Sequence, residues 1–176
     1  MLDVKNIDIK LREYKKIAEI YEKSFPDNEK LPMWLLNIMS KRACVDFLAF
    51  YDDDIFCGFT YLITYKNTTF VLYLAIDSSI RSKGYGSQIL NWIIDNKQEN
   101  IVLNIESVSD KYDNFKERLS RQKFYLKNGF KDTKYKLIDK SDVYDVLHKG
   151  SNFSKLEYEA LFRSFSFGLV RKKIIK

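Results

Sequence analysis

The chain has 176 residues, 45% hydrophobic and 15% aromatic, with a formal charge of +6 at neutral pH. That length and apolar content suit one domain with a sizeable core and exclude a disordered chain. No stretch approaches the roughly eighteen apolar residues of a membrane span, and Met1-Leu2-Asp3-Val4-Lys5-Asn6 lacks a signal peptide's apolar segment, so no membrane is expected and the cytoplasm is the expected compartment.

The positive charge is dispersed among acidic residues except at the end, Arg171-Lys172-Lys173-Ile174-Ile175-Lys176. That cluster reads as a solvated tail rather than a nucleic-acid site, because no zinc spacing, aromatic RNA-binding motif or basic-region heptad accompanies it. No metal site is expected. Cys44 and Cys57 lie beside strand-like runs and read as buried, inert thiols in a reducing compartment.

In chain order, Asn6 to Arg12 alternates Ile7, Ile9 and Leu11 with polar residues, the pattern of a strand with one buried face. Tyr14 to Phe25 reads as a helix with Ile17, Ile20, Tyr21 and Ser24 on one face, stopped by Pro26. Pro32 opens a second short helix with Trp34, Leu35, Ile38 and Met39 inward. Val45–Tyr51 and Ile55–Tyr65 form a hairpin around Asp52-Asp53-Asp54. Phe70 to Ile76 is a buried strand, and Ile89, Leu90, Ile93 and Ile94 recur at helical spacing after it. Ile101 to Glu106 then pairs parallel to Phe70–Ile76, completing a strand–helix–strand unit. Asp110 to Lys127 is helical with Phe115, Leu119 and Leu126 on one face. Lys131–Ile138 and Val143–His148 make a closing hairpin. Phe153 to Phe167 is a last helix capped by Ser154, with Leu156, Ala160, Leu161 and Phe165 inward.

Between the Phe70–Ile76 strand and its helix lies Arg81-Ser82-Lys83-Gly84-Tyr85-Gly86. A glycine turn that opens a helix presents unpaired amides and the positive end of the helix dipole, which suits a phosphate. Gly84 and Gly86 let the backbone approach an anion. The dinucleotide fingerprint needs a third glycine where Ile89 stands, and the triphosphate loop needs Lys-Ser/Thr where Ser87 and Gln88 follow Gly86. A tight turn whose glycines serve geometry alone is the alternative, against which Arg81 and Lys83 weigh.

Arg-x-x-Gly-x-Gly after a strand resembles the acyl-coenzyme A pyrophosphate loop of the GNAT N-acetyltransferase superfamily. Phe124-Tyr125-Leu126-Lys127-Asn128-Gly129-Phe130 resembles that family's Phe/Leu-Tyr-x-x-x-Gly-Phe segment, at a fitting separation. The resemblance runs from the first strand to about residue 150 and implies an α/β fold. Its sheet would be mixed and mostly antiparallel, with one parallel strand–helix–strand unit and helices on both faces. Residues 1–176 would be a single acyltransferase domain: a core to about 150, then an added helix and basic tail over 151–176.

The resemblance implies transfer of an acetyl group from acetyl-coenzyme A, the cosubstrate, to a primary amine by direct attack in a ternary complex. Lys83, Tyr85 and Ser87 amides, with Ser82, Gly84 and Gly86, would take the pyrophosphate and Arg81 would add charge. The backbone of Leu74, Ala75 and Ile76 would pair with the pantetheine arm. Tyr125 matches the family's general acid: a phenol with a reference pKa near 10 is protonated at neutral pH and can donate to a departing thiolate. Many relatives carry a glutamate on the strand before the loop, and this strand has none. Glu106, at the end of the next parallel strand, is the candidate: it would accept a proton through water or simply bind the cationic substrate; a solvated strand-end carboxylate is the alternative. In some relatives the amine loses its proton to solvent. His148, the single histidine, reads as structural. Nothing beside Cys44 or Cys57 would activate a thiol for ping-pong chemistry.

Arg118 stands where many members carry an asparagine that contacts the cofactor; it is expected on the solvent face, with Arg121 either there or on the cofactor's phosphates. Asp27, Glu29, Asp139 and Asp142 lie in loops expected near the acceptor, a small-molecule or peptide amine. A non-catalytic acyl-coenzyme A binding or sensing domain is the rival reading, and a homodimer through the closing hairpin or last helix is an open alternative to a monomer.

Overall fold

The computed structural model describes residues 2–80, 82–139, 142–168 and 173–176. Among them the chain forms, in order, β1 (Asp3–Asn6), α1 (Tyr14–Ser24), α2 (Met33–Met39), β2 (Val45–Asp52), β3 (Ile55–Tyr65) and β4 (Thr68–Ile76). A 3-10 turn at Ser78–Ile80 precedes α3 (Tyr85–Asn96), followed by β5 (Asn100–Glu106), α4 (Phe115–Lys127), β6 (Lys131–Asp139), β7 (Asp142–Lys149), α5 (Lys155–Phe165) and β8 (Lys173–Ile175). The chain divides into two compact units, Met1–Leu62 with Leu72–Ile93, and Ile63–Val71 with Ile94–Lys176.

The first unit holds strands in the order β1-β2-β3-β4, with β1 antiparallel to β2 from Asp3↔Tyr51 to Asn6↔Leu48. Its core is aromatic. Tyr21 of α1 meets the Tyr73 ring edge-on at 5.0 Å and Phe25 at 5.5 Å, and Phe47 packs on Phe59 and Tyr61. The edge-to-face pairs among these, Tyr21–Tyr73 and Phe47–Phe59, each add about 0.5–1.5 kcal/mol beyond the area they bury. Gly58 permits the close approach of β3 to β4, since a Cβ there would lie 2.4 Å from the Ala75 carbonyl oxygen.

The second unit runs β4-β5-β7-β6-β8. β4 and β5 are parallel, as expected, from Thr68↔Asn100 to Val71↔Leu103, whereas β5–β7, β6–β7 and β6–β8 are antiparallel. Helix α5 begins at Ser154, whose hydroxyl accepts from the Glu157 amide at 3.2 Å. It packs through Tyr158 and Phe162 on Phe70, at 5.9 and 5.1 Å between ring centres, and the Tyr158 hydroxyl donates to Asn104 Oδ1 at 2.6 Å.

Five expectations are corrected. The first strand ends at Asn6 rather than beginning there: the Asp8 carboxylate accepts from the Lys10 amide at 2.7 Å and turns the chain, leaving Ile9 69% exposed. In α2 the inward residues are Leu36 and Met39, with Trp34 and Ile38 outward. Helix α4 starts at Phe115, because residues 110–114 are spent in turns, and it buries no residue fully; Leu126 faces solvent. In α5 Leu161 is buried as expected, but Tyr158 and Phe162 join it in the core and Leu156 is exposed. The end of the chain is not simply solvated: Lys173–Ile175 pairs with Lys136–Ile138 and buries Ile174. Arg171 and Lys172 lie outside the described residues.

Candidate active site

In the first unit β4, a turn and α3 follow one another directly. Asp77 leaves β4 with its amide donating to the Cys57 carbonyl, and its carboxylate accepts from the Ser79 amide at 3.0 Å and hydroxyl at 2.9 Å. It also pairs with Lys16 of α1. Burial pushes the Asp77 carboxyl up, but the Lys16 and Ser79 contacts outweigh it and hold it below the usual carboxylate range. The entry to the glycine turn is thereby fixed.

The turn itself is exposed over Ser82, Lys83 and Gly84, with Ser82 and Gly84 at positive φ (66° and 85°). At Gly84 a Cβ would meet nothing within 4 Å, so this glycine serves the backbone conformation rather than relieving a clash. The Gln88 amide makes the bond back to Gly84 O at 3.1 Å, so the amides of Tyr85, Gly86 and Ser87 precede the helix's own hydrogen bonds. Amides not used by the helix's own bonds, at the positive end of a twelve-residue helix, are what a pyrophosphate requires, and the turn fits such a group. Arg81 lies outside the described residues. Tyr85, inside the motif, donates from its hydroxyl to Asp52 Oδ2 at 2.7 Å, and that bond pushes the phenol up to about 12. A cavity of about 370 Å³ in this unit is lined by Arg12, Glu13, Lys16, Phe56, Asp77 and Ser79. Its cations are matched by Glu13 and Asp77, so the turn, not the cavity, suits a polyanion.

The loop between α1 and α2 is held by two tyrosines. Tyr73 Oη donates to the Glu29 carbonyl at 2.7 Å and accepts from the Leu31 amide at 3.1 Å, while Tyr21 Oη bonds both polar groups of Leu31. Asp27 is paired with Lys30 at 2.8 Å.

In the second unit the candidate residues lie at the end of β5 and on α4. Glu106, at the end of β5, is held by Arg118 Nη2 on one oxygen and Arg121 Nη1 on the other, both at 2.8 Å. Arg118 also donates to Asn114 Oδ1 at 2.7 Å and to the Ser107 carbonyl at 3.1 Å, and its guanidinium lies 3.7 Å from the centre of the Tyr112 ring. Its side chain is 11% exposed, which corrects the expectation of a solvent-facing residue. Tyr125 packs against Phe124 and Phe130, at 5.1 and 5.8 Å between ring centres. Burial pushes its phenol up to about 12, opposed by the Arg121 charge. Among the described residues nothing hydrogen-bonds its hydroxyl.

The structure thus joins Leu74, Ala75 and Ile76 to Ser82–Ser87 in one strand–turn–helix, and joins Glu106 to Arg118 and Arg121. The Tyr85–Asp52 bond and the interior role of Arg118 escape sequence reasoning. No local pattern marks them, although the three-residue spacing of Arg118 and Arg121 does place both on one helix face.

Residues 44–132, just over half the chain, match the family described as acetyltransferase (GNAT) domain. The fold is similar to that of a putative GNAT acetyltransferase from Bacteroides thetaiotaomicron, at 22% identity and a TM-score of 0.75, covering 96% of this chain and 99% of that one. It is also similar to an aminoglycoside 6'-N-acetyltransferase complexed with coenzyme A (14%, 0.63, 84% and 96%). A third is the ribosomal-protein-S18-alanine N-acetyltransferase of Escherichia coli (10%, 0.61, 88% and 98%). No curated protein sequence matches this chain.

Proposed function

Because this chain belongs to the GNAT acetyltransferase family, we propose that it moves the acetyl group of acetyl-coenzyme A to a primary amine by direct attack within a ternary complex. It is an acetyltransferase, and structures of similar fold hold coenzyme A or acetyl-coenzyme A, its acyl donor. Family membership sets aside the reading as a non-catalytic binding domain. The relatives named for aminoglycoside and ribosomal-protein alanine acetylation act at nitrogen, which supports an amine acceptor, small molecule or peptide. Residues 1–176 are read as one acyltransferase domain, with 151–176 as an addition to it.

Bound acetyl-coenzyme A supplies the thioester carbonyl that the amine attacks. The amides of Lys83, Tyr85 and Ser87, with Ser82, Gly84 and Gly86, hold its pyrophosphate, Arg81 adds charge, and the backbone of Leu74, Ala75 and Ile76 holds its arm. Tyr125 gives its proton to the leaving sulfur. The observation that carries this role is the phenol's setting, packed between two rings with a hydroxyl that no described residue engages. Both Glu106 oxygens are engaged by guanidiniums, so taking the amine's proton would mean giving up one of those contacts, which favours release of that proton to water.

The test is free-thiol release from acetyl-coenzyme A against a panel of amines, comparing wild type with Tyr125→Phe. Loss of an acid in this position lowers kcat by about 10²–10⁴ with donor binding intact. Full activity in the variant would remove Tyr125 from the mechanism. In the same assay Glu106→Gln separates a base, whose loss costs a similar factor, from an ion-pair partner, whose loss costs far less.

A further inference from the structure

Arg118, Arg121 and Tyr125 stand at spacings of three and four on α4, one stripe along the helix. Side chains of a helix tilt toward its N-terminus, so the Tyr125 phenol leans back over the turn that carries Arg121. Arg118 is spent on four partners: Glu106, Ser107, Asn114 and the Tyr112 ring. Among the described residues Arg121 has one, the Glu106 carboxylate, which restrains a guanidinium that would otherwise sweep solvent. One carboxylate shared by two guanidiniums leaves a net positive charge on this stripe.

The geometry points to Arg121 as a positioning residue for Tyr125: anchored by Glu106, its charge stabilises the phenolate left when Tyr125 gives up its proton. This rests on the reading of Tyr125 as the acid. The N–C bond forms as the C–S bond breaks, the sulfur takes the Tyr125 Oη proton, and the tyrosine becomes phenolate. The surplus proton on nitrogen leaves to water, and the phenolate regains one from water. A phenol near 12 is a poor donor to a thiolate whose conjugate acid, like an ordinary thiol, titrates near 8.5; the Arg121 charge already opposes the rise, so without a fixed cation one turn away the mismatch would be wider.

The experiment places 3,5-difluorotyrosine at position 125, which brings the phenol into an accessible range, and titrates it by fluorine NMR with Arg, Gln or Lys at position 121. The Arg121 side chain is 45% exposed, so these variants fold. Arg121→Gln raises the midpoint by about one pH unit, and Arg121→Lys recovers most of the difference. In thiol release, Arg121→Gln lowers kcat about tenfold with the KM for acetyl-coenzyme A unchanged, and adds nothing to Tyr125→Phe. An unmoved midpoint, an equal loss in the Tyr125→Phe background, or an effect on KM alone would each overturn the assignment. Full activity of Tyr125→Phe would overturn the acid reading and this one with it. The titration needs no turnover, so the two failures are told apart.

Discussion

At the scale of single residues, Tyr85 shows how one hydroxyl can serve a binding loop it does not itself complete. The amides around it are proposed to meet phosphate, yet its own side chain reaches away to Asp52. Losing that bond loosens the first turn of α3 without touching an acid. Tyr85→Phe and Asp52→Ala are therefore expected to raise the KM for acetyl-coenzyme A about three- to tenfold and leave kcat within a factor of two, a split that steady-state kinetics resolves. His148 carries a pH prediction. Its Nε2–H donates to Asn100 Oδ1 at 3.0 Å, and burial, with Lys131 second, pushes its pKa down, so the fold holds it neutral. Below about pH 6.5 the unfolded chain binds a proton there that the folded chain refuses, and stability falls as pH falls. The urea midpoint should decline between pH 7 and 5, and less steeply in His148→Gln.

At the scale of elements, the closest joints are made by side chains bonding backbone. Arg118 ties α4 to the end of β5 through Glu106 and the Ser107 carbonyl. Arg118→Met would keep the stem and strip these bonds, costing about 2 kcal/mol in denaturant unfolding and loosening the helix that carries Tyr125. An unchanged midpoint would mean the network is incidental. Gly58 is the corresponding joint between β3 and β4: Gly58→Ala forces a methyl against the Ala75 carbonyl and should cost about 1–3 kcal/mol. The elements whose limits were misjudged share a cause. Ile9, Trp34 and Leu126 follow the periodicity of buried residues, yet the chain turns early at Asp8 or presents the helix by another face. Periodicity marks an apolar stripe; only packing selects which part of it is covered.

At the scale of the whole molecule, the C-terminal segment adds a helix and a strand to the second unit. Removing residues 173–176 exposes what Ile174 covers on β6 and should cost roughly 2 kcal/mol, or about 4–8 °C in Tm, with donor binding retained. A tail serving nucleic acid would instead leave Tm alone and abolish a steeply salt-dependent affinity. Among the described residues no helix is long and apolar enough to cross a membrane.

What the sequence determined by itself was the succession of elements as far as α5, the parallel β4–β5 pair and the places of the glycine turn and the tyrosine segment. Each is written in neighbours a few residues apart: a change of period, a glycine pair, a proline, a cap. What only the tertiary structure decided were the partners. Glu106 meets Arg121 across 15 positions, Tyr85 meets Asp52 across 33, and Tyr158 meets Asn104 across 54. A charged or hydroxyl side chain has many eligible partners in a chain this polar, and which it takes depends on strand register and helix placement. Those follow from burying the core, so a residue's chemistry was legible locally, and whether it is free to use that chemistry was not.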